Sequence, residues 1–412
     1  MSNIFVRRLV ILIFSFLIVF SSAASCNFFG SGDNNSLRYG ILKSDPSLYQ
    51  GGFAFVNSVK NFRDNNIKDG LNSQSGVKIV QTGNNQLFYI AKDKGLFTTD
   101  NGGKEWKRIY IFPIQGNDKI SWDKSINAND DLKINNIAFV NQQIFYVSGA
   151  KGNISYLYRT IDEGKTFVQV YNTETNNNVS IEQILVDPRP NQLNTVYIST
   201  SGGAMFVSND NGSNWKTITI PDVNRNFPLQ FGVLSQYNSN SGAKFFILFK
   251  GLGLYLSDDG QNYVKADILL EELNTSQVSF VSSYINIEKI VQSPNTKELL
   301  LIADRRIYLG ANLTQKFQQI KIPVETEKVN ITDIAVDPKQ GTNKLLMSVD
   351  SKLFESKDRG NSWSVNDKVN QSVEYGNISQ IVINPEDTNI VYLMLIDPSY
   401  KRGSNDGFFF GV

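Results

Sequence analysis

The sequence predicts an all-β fold: a single seven-bladed β-propeller of four-stranded antiparallel blades, in which an N-terminal strand closes the last blade. Three observations predict this fold. A short strand motif recurs at a regular spacing, a hairpin-turn motif follows it at a nearly constant distance, and the final repeat is too short to supply four strands of its own.

The strand motif reads I-x-x-I, followed four residues later by Pro. β-Branched residues bounded by Pro are typical of a short buried strand and its exit turn. The interval from Ile181 to Ile287 fits two repeats, which predicts a degenerate copy at Leu229–Ser235. The other copies begin at Ile134 (with Asn141 in place of Pro), Ile181, Ile287, Ile331 and Ile378.

The second motif, here called the turn motif, reads [S/T]-x-D-x-G-x-x-aromatic and begins 25 to 27 residues after the strand motif. Its Asp can accept hydrogen bonds from backbone amides of the turn, its Gly can adopt a positive φ, and its aromatic side chain can pack back as a plug. The motif therefore predicts a hairpin between the third and fourth strands of each blade. The residues assigned to this structural role are Thr99, Trp106, Thr160, Asp162, Gly164, Phe167, Ser208, Asp210, Gly212, Trp215, Asp258, Gly260, Tyr263, Ser356, Asp358, Gly360 and Trp363.

The turn motif resembles the Asp-box, or BNR repeat. That repeat occurs in sialidases, sortilin-type receptors, xyloglucanases and the photosystem II assembly and stability factor family. The resemblance covers essentially everything after residue 36 and implies a β-propeller. Seven blades match the photosystem assembly factor family better than the six-bladed sialidases or the ten-bladed sortilins.

The last repeat provides the strands Ile378–Ile383 and Ile390–Ile396, with Phe408–Phe410 predicted as its third strand. A fourth strand is expected from the other end of the chain, near Tyr39–Ser44 or Gly52–Val56. Such a strand would remove the open edge of the ring, which otherwise favours aggregation.

The first residues predict an export signal. Arg7 and Arg8 precede an apolar stretch, Leu9–Phe20, which is too short for a good membrane span and leads into small residues. Cys26, the only cysteine, follows Ala23-Ala24-Ser25 and resembles the bacterial lipobox, with Ala23 where that family usually has Leu. We expect a signal peptide at 1–25, a lipidated flexible tether at 26–36 and the propeller at 37–412. The protein would then be exported and membrane-anchored; the alternative is an ordinary signal peptide.

Composition excludes several kinds of chemistry. The chain has no histidine, so His-based catalysis and His metal sites are ruled out, and we expect neither metal nor cofactor. The spacing of the turn motif lacks the dense oxygen ligands of a calcium loop. With 40 basic and 39 acidic residues and no basic run outside the signal, nothing indicates nucleic acid binding.

Long connections between blades are the places where binding residues concentrate. The longest runs from Pro113 to Leu132, and Ile120, Trp122 and Ile126 in it are the candidate partner-binding residues. A second runs from Leu269 to Tyr284. Both are predicted to lie on the face of the ring opposite the turn motifs.

These features favour a non-catalytic scaffold that binds a protein partner in the cell envelope. The alternative is a glycan-binding propeller or a glycoside hydrolase of the sialidase or xyloglucanase type. Arg305-Arg306-Ile307-Tyr308 only partly matches the F/Y-R-I-P start of sialidases. Asp123, Asp130 and Asp131 are the one carboxylate cluster to test for hydrolysis. Trp122 and tyrosines could instead stack on a sugar that is bound but not cleaved.

Overall fold

The computed structural model describes residues 40–44, 53–55, 76–83, 85–91, 95–111, 132–174, 179–221, 223, 229–235, 242–249, 252–271, 278–281, 286–323, 330–370 and 376–396. The chain divides into two units, Met1–Leu37 and Arg38–Val412, and all described residues belong to the second. Their strands form seven sheets arranged as the blades of a ring, which confirms the predicted seven-bladed β-propeller.

Blades 1 to 4 follow one another in chain order, each built from four consecutive antiparallel strands. Blade 1 contains β3 (Gly76–Gln81), β4 (Leu87–Ala91), β5 (Gly95–Thr99) and β6 (Lys107–Ile109). Blade 2 contains β7 (Lys133–Phe139), β8 (Phe145–Lys151), β9 (Ile154–Thr160) and β10 (Val168–Asn172). Blade 3 contains β11 (Ile181–Val186), β12 (Val196–Thr200), β13 (Met205–Ser208) and β14 (Lys216–Ile218). Blade 4 contains β15 (Leu229–Ser235), β16 (Ala243–Phe249), β17 (Gly253–Ser257) and β18 (Val264–Ala266).

Blades 5 and 7 depart from this simple order. Blade 5 contains β21 (Ile287–Gln292), β22 (Leu299–Ala303), β23 (Arg306–Gly310) and β24 (Phe317–Ile320), with two further strands, β19 (Ile268–Glu271) and β20 (Val278–Val281). Blade 6 contains β25 (Ile331–Asp337), β26 (Gly341–Val349), β27 (Lys352–Ser356) and β28 (Ser364–Val365). Blade 7 contains β29 (Asn377–Ile383), β30 (Val391–Ile396), β1 (Gly40–Ser44) and β2 (Phe53–Phe55).

The second strands of blades 1, 5 and 7 are apolar throughout because a neighbouring blade covers each of their faces. All residues of β4, β22 and β30 are buried. Uniform burial is usual for strands covered on both sides. The outer strands are shorter and more polar, and Lys216 and Thr217 of β14 are exposed. The core therefore lies between blades, where side chains of adjacent sheets pack together.

Blade 7 joins the two ends of the described chain. β1 pairs antiparallel with β30, and β2 pairs antiparallel with β1, so both N-terminal candidates are strands of this blade. The prediction of Phe408–Phe410 as the third strand is therefore wrong, because β1 occupies the place beside β30 and an edge can be paired only once. Phe408–Phe410 itself lies outside the described residues.

The second long connection, predicted as a loop, is partly a hairpin. β19 and β20 pair antiparallel, and β19 adds in parallel to β24, the outer strand of blade 5. Burial of Ile268 and Leu270 against the blade 5 core stabilises this addition. The segment thus extends blade 5 to six strands.

Strand direction divides the ring into two faces. Connections between first and second strands and between third and fourth strands lie on one face, here called the turn face. The opposite face, here called the loop face, carries the connections between second and third strands and those between blades. Helical structure in the described part of the chain is limited to a 3₁₀ turn (Pro190–Gln192) and a single turn of α-helix, α1 (Asp367–Asn370). No helix among the described residues is long and apolar enough to span a membrane.

Candidate functional site

The turn motif forms a closed network of hydrogen bonds at the hairpin ends of blades 1, 2, 3, 4 and 6. In blade 2, Thr160 Oγ1 donates to Asp162 Oδ1 at 2.8 Å and accepts the Gly164 amide at 3.0 Å. Asp162 Oδ1 also accepts the amide of Thr166 at 2.8 Å. Gly164 has φ +84°, a conformation that glycine adopts without strain. The carboxylate and hydroxyl therefore satisfy amides that the tight turn leaves without strand partners.

The same network recurs in blades 1, 3 and 6. Asn101 takes the Asp position in blade 1, where its Oδ1 accepts from Thr99 Oγ1 at 2.8 Å and from the Glu105 amide at 3.0 Å. In blade 3 the corresponding residues are Ser208, Asp210 and Gly212, and in blade 6 they are Ser356, Asp358 and Gly360.

Blade 4 corrects one predicted position. The Asp that accepts the turn amides is Asp259, not Asp258: Asp259 Oδ1 accepts from the amides of Gln261 and Asn262, each at 2.8 Å, and from Ser257 Oγ at 2.8 Å. Asp258 points elsewhere and pairs with Lys244 at 2.7 Å. This turn is one residue shorter than the others, so alignment by Gly260 alone placed the acid one position too early.

Hydrogen bonding keeps these carboxylates ionised. The Asn214 side chain, the Asn214 amide and Ser208 lower the pKa of Asp210 to about 2. Burial on its own would raise the pKa of Asp259, but amides of Asn262 and Gln261, with Ser257, bring it down to about 2. A carboxylate held this way is a poor proton donor near neutral pH. In the turns these ionised carboxylates act as hydrogen-bond acceptors.

The turn motifs also join each blade to the one before it. Trp215 Nε1 donates to Val170 O of blade 2 at 2.9 Å, and Trp363 Nε1 donates to Lys321 O, after the last strand of blade 5, at 2.9 Å. A Cβ on Gly212 would lie 2.7 Å from Val170 Cβ, and one on Gly360 would lie 2.3 Å from Ile320 Cγ2. The motif's Gly and Trp are thus positions of contact between blades.

A second ring of polar residues was not anticipated from the sequence. The third position of the strand motif, treated there as variable, holds a polar residue that contacts the next blade. Gln380 of blade 7 accepts the Ile79 amide of blade 1 at 2.8 Å and donates to Ile79 O at 2.9 Å. Members of this inner ring are Lys78, Asn136, Gln183, Lys289, Asp333 and Gln380.

The inner ring lies where each first strand shifts its register by one residue against the second strand. β15 of blade 4 pairs in continuous register instead. Burial lowers the pKa of Lys78 from 10.5 to about 8. The side chains of the inner ring form hydrogen bonds and ion pairs to the neighbouring blade. They therefore hold adjacent blades together and are not free to bind a ligand.

Buried residues just before the motif's Pro were also missed. Asp187, Ser293, Asp337 and Asn384 are all fully buried. Asp337 Oδ1 accepts from the amides of Lys339 and Gln340, each at 2.9 Å, and Asn384 Oδ1 does the same for the amide of Glu386 at 2.8 Å. The recurring Asp, Ser or Asn before Pro was the available signal, since these residues cap turns.

The loop face carries the base of the longest connection. Ile111 and Leu132, the described residues at its two ends, are 3% exposed and belong to the core shared by blades 1 and 2. A shallow cleft between them is lined by Gly95, Leu96, Arg108, Ile109, Tyr110 and Ile134. The guanidinium of Arg108 lies over the Tyr110 ring, 4.9 Å from its centroid. The cleft thus combines apolar walls with one cation and one aromatic ring.

The predicted binding residues Ile120, Trp122 and Ile126 lie outside the described residues, as do Asp123, Asp130 and Asp131. Cys26 also lies outside them. Within the described part of the chain, no group of three His, Cys, Asp or Glu residues could hold a metal ion. The structure therefore places the turn motifs together on the turn face. Of the long connection on the loop face, it describes only the two ends, Ile111 and Leu132.

Comparison with known proteins shows the fold. No protein-family model and no curated protein matches the chain. Among solved structures, the chain is similar to YCF48 bound to D1 peptide, with 15% identity and a TM-score of 0.51, over 79% of this chain and 94% of that one. It is also similar to the GH74 xyloglucanase from Xanthomonas campestris, with 13% identity and a TM-score of 0.57, over 78% of this chain.

A GH74 enzyme from Niastella koreensis is similar too, with 14% identity, a TM-score of 0.50 and coverage of 71% of this chain and 45% of that one. The chain spans 51% of the length of the Xanthomonas xyloglucanase, and so about half of each hydrolase. At these identities the likeness is one of fold.

Proposed function

We propose that this protein is a cell-envelope lipoprotein whose propeller binds a protein partner and does not catalyse a reaction. The observation that carries the proposal is coverage: the chain matches 94% of a propeller solved with a peptide bound, but about half of each hydrolase. The two matches cover nearly the same share of this chain, 79% and 78%, but only the peptide-bound propeller is matched over almost its whole length.

The chemistry of the loop face supports this role. At the base of the long connection, beside the buried residues Ile111 and Leu132, the loop face presents Arg108 and Tyr110. Aromatic and Arg side chains beside apolar pockets dominate the energy of protein interfaces. The connection that begins and ends at this cleft carries Trp122 and Ile126, which are the residues we assign to partner contact.

The test is cross-linked capture from the native envelope with quantitative mass spectrometry. The double variant Trp122→Ala, Ile126→Ala should recover the partner at least about tenfold less than the wild type, since losing two apolar anchors costs more than 1.4 kcal/mol. The matched control is Ile161→Ala, Leu193→Ala on the turn face, where both side chains are exposed. Equal recovery by the loop variant and the control would overturn the assignment of this loop.

The anchor is tested separately. Acyl chains on Cys26 would hold the protein at the membrane, each buried CH₂ contributing about 0.8 kcal/mol. Cells fed a palmitate analogue should label the wild type and not Cys26→Ser, and the variant should leave the membrane fraction. A label that persists in Cys26→Ser would count against lipidation.

A glycan hydrolase is the second candidate, favoured by the TM-score of 0.57 with the xyloglucanase. Such hydrolysis needs two carboxyl groups about 5–9.5 Å apart across a cleft. Asp123, Asp130 and Asp131 are the residues to change to Asn. Release of reducing ends from xyloglucan by the wild type, with a loss of at least about 100-fold in one of these variants, would replace the scaffold proposal.

A further inference from the structure

An aromatic residue stands two positions before the end of the third strand in each of blades 1 to 6. In blade 3 this residue, Phe206, is half-buried, and so is the turn-motif aromatic of the same blade, Trp215. Blade 3 is the only one of these six blades in which both aromatic side chains are partly exposed. The corresponding third-strand aromatics of the other five blades are at most 6% exposed: Phe97, Tyr158, Tyr255, Tyr308 and Phe354.

The exposed aromatics of blade 3 face a third ring from blade 2. The ring centroid of Tyr171, on β10, lies 5.5 Å from that of Phe206 and 5.2 Å from that of Trp215, and Tyr171 is also half-buried. Thr217 of β14 lies opposite Phe206 and is exposed. These four residues form what is here called the rim groove. None of the described strands pairs with the outer side of β14, so the groove lies beside an open sheet edge.

Blade 5 shows how this chain covers the same place in another repeat. Its corresponding aromatics, Tyr308 and Phe317, are both buried. β19 adds in parallel to β24, with Leu270 opposite Phe317. Ile268 and Leu270, two residues apart, are buried in the same apolar cluster as the two aromatics. An extended segment with apolar residues at alternate positions therefore fills in blade 5 the place that is open in blade 3.

We propose that the rim groove binds an extended segment of another protein, which adds to blade 3 as a fifth strand parallel to β14. In such strand addition, main-chain hydrogen bonds give affinity and pockets for alternate side chains give specificity. The segment carries two apolar residues two positions apart, as β19 does, followed by an acidic residue. The groove lies between blades 2 and 3 on the rim, so the proposal does not depend on the use of the loop face.

Charge supports the acidic residue. In blade 5, Glu271 of β19 follows Leu270 and lies opposite Gln318. Lys216, the residue after Trp215, takes the place of Gln318 in blade 3 and is exposed. Opposite charges on facing strands attract, and like charges there are destabilising. An acidic residue that follows the second apolar residue of the segment would therefore lie opposite Lys216.

The test measures the fluorescence anisotropy of a labelled synthetic peptide with the sequence of residues 266–272, Ala-Asp-Ile-Leu-Leu-Glu-Glu, added to the full chain. We expect saturable binding with a Kd below about 1 mM. Lys216→Glu should weaken it at least about threefold, and the peptide Ala-Asp-Ile-Leu-Leu-Lys-Glu should show the reverse preference. The matched control is Lys107→Glu, which makes the same change of charge after Trp106 in blade 1, where Trp106 and Phe97 are fully buried.

Lys216 and Lys107 are both exposed, so neither variant should disturb folding. The absence of binding at about 1 mM peptide, or equal weakening by the two variants, overturns the proposal. Protection of Trp215 from iodide quenching by xyloglucan oligosaccharides, and not by the peptide, would also overturn it, because the groove would then be a surface for sugar stacking. The loop variant Trp122→Ala, Ile126→Ala should bind the peptide like the wild type, so the failure of either site leaves the other proposal intact.

Discussion

At the hairpin ends, single side chains accept hydrogen bonds from backbone amides that have no partner in a neighbouring strand. In blade 4, one carboxylate, Asp259, accepts from two amides and from the side chains of Ser257 and Asn262. The side chain of its neighbour Asp258 is exposed and pairs with Lys244. Two adjacent residues of one type therefore differ in structural importance.

This contrast gives a matched pair of variants. Asp259→Ala should lower the free energy of unfolding by about 1–3 kcal/mol, because the turn amides lose their acceptor. Asp258→Ala should cost about 0–1 kcal/mol, as exposed ion pairs do. Urea denaturation measures both, and a larger loss for Asp258→Ala would contradict the assignment.

The lowered carboxylate pKa values predict a dependence on pH. Asp210 and Asp259 have pKa values of about 2, below the usual 3.8, so the unfolded chain binds more protons between these values. Their stabilisation is present above about pH 5 and is lost as the pH falls toward 2. The gap in urea midpoint between wild type and Asp259→Asn should therefore narrow from pH 5 to pH 2. A constant gap would show that the pKa of Asp259 is the same in the folded and the unfolded state.

At the scale of elements, the turn motif acts between blades more than within one. Gly212 combines a positive φ of +93° with close approach to Val170 of the preceding blade. Trp215 of the same motif donates its hydrogen bond to that residue's carbonyl. One hairpin end thus sets the distance between two sheets.

Gly212→Ala should therefore cost more than conformational strain alone. Gly152 is the control: it has φ +61°, and a Cβ added to it would meet no atom within 4 Å. Gly152→Ala should cost about 1 kcal/mol from strain, and Gly212→Ala about 2–4 kcal/mol, because overpacking adds to strain. Equal losses in urea denaturation would mean that blade spacing does not depend on this glycine.

The elements show what the sequence could and could not predict. Spacing located the strands β11 and β13 and the degenerate β15 at their observed bounds, because buried strands repeat with the blade. The hairpin of β19 and β20 was missed, since a strand pair inside a connection breaks no period. The role of Asp259 was missed because Asp258 lies two residues before Gly260, which is the spacing of the full motif. The turn in blade 4 is one residue shorter, so the acid that accepts its amides is the next residue.

Contacts between blades were the main feature of the structure that the sequence did not predict. The polar third position of the strand motif differs in type from blade to blade, from Lys78 to Gln380, so no single residue marks it. Its role depends on which residue of the next blade lies opposite, and that is set only when the ring closes. The candidate binding loop was located by length alone, and only its ends, Ile111 and Leu132, are described.

At the scale of the whole molecule, closure depends on blade 7. Ile41 and Leu42 of β1 are fully buried against other strands, and Leu42 belongs to the core shared by blades 6 and 7. Without β1, the edge of β30 would be unpaired. The stability of the ring therefore depends on strands from opposite ends of the sequence.

Removing residues 1–56 should abolish the cooperative urea transition and produce soluble aggregates in size-exclusion chromatography, because an apolar edge is exposed. Joining residues 38–56 after Val412 through ten Gly and Ser residues should restore both the transition and the monomer. A shortened chain that unfolds like the wild type would contradict the role of β1.

The pairing of β1 with β30 also constrains when the protein can fold. Ser44 and Asn389 form a hydrogen bond across 345 residues of sequence. At translation rates of roughly 5–20 residues per second, β1 emerges roughly 20–70 s before its partner strand. High contact order slows folding, so we expect the first apolar strands to stay exposed until the far end of the chain is available to pair with them.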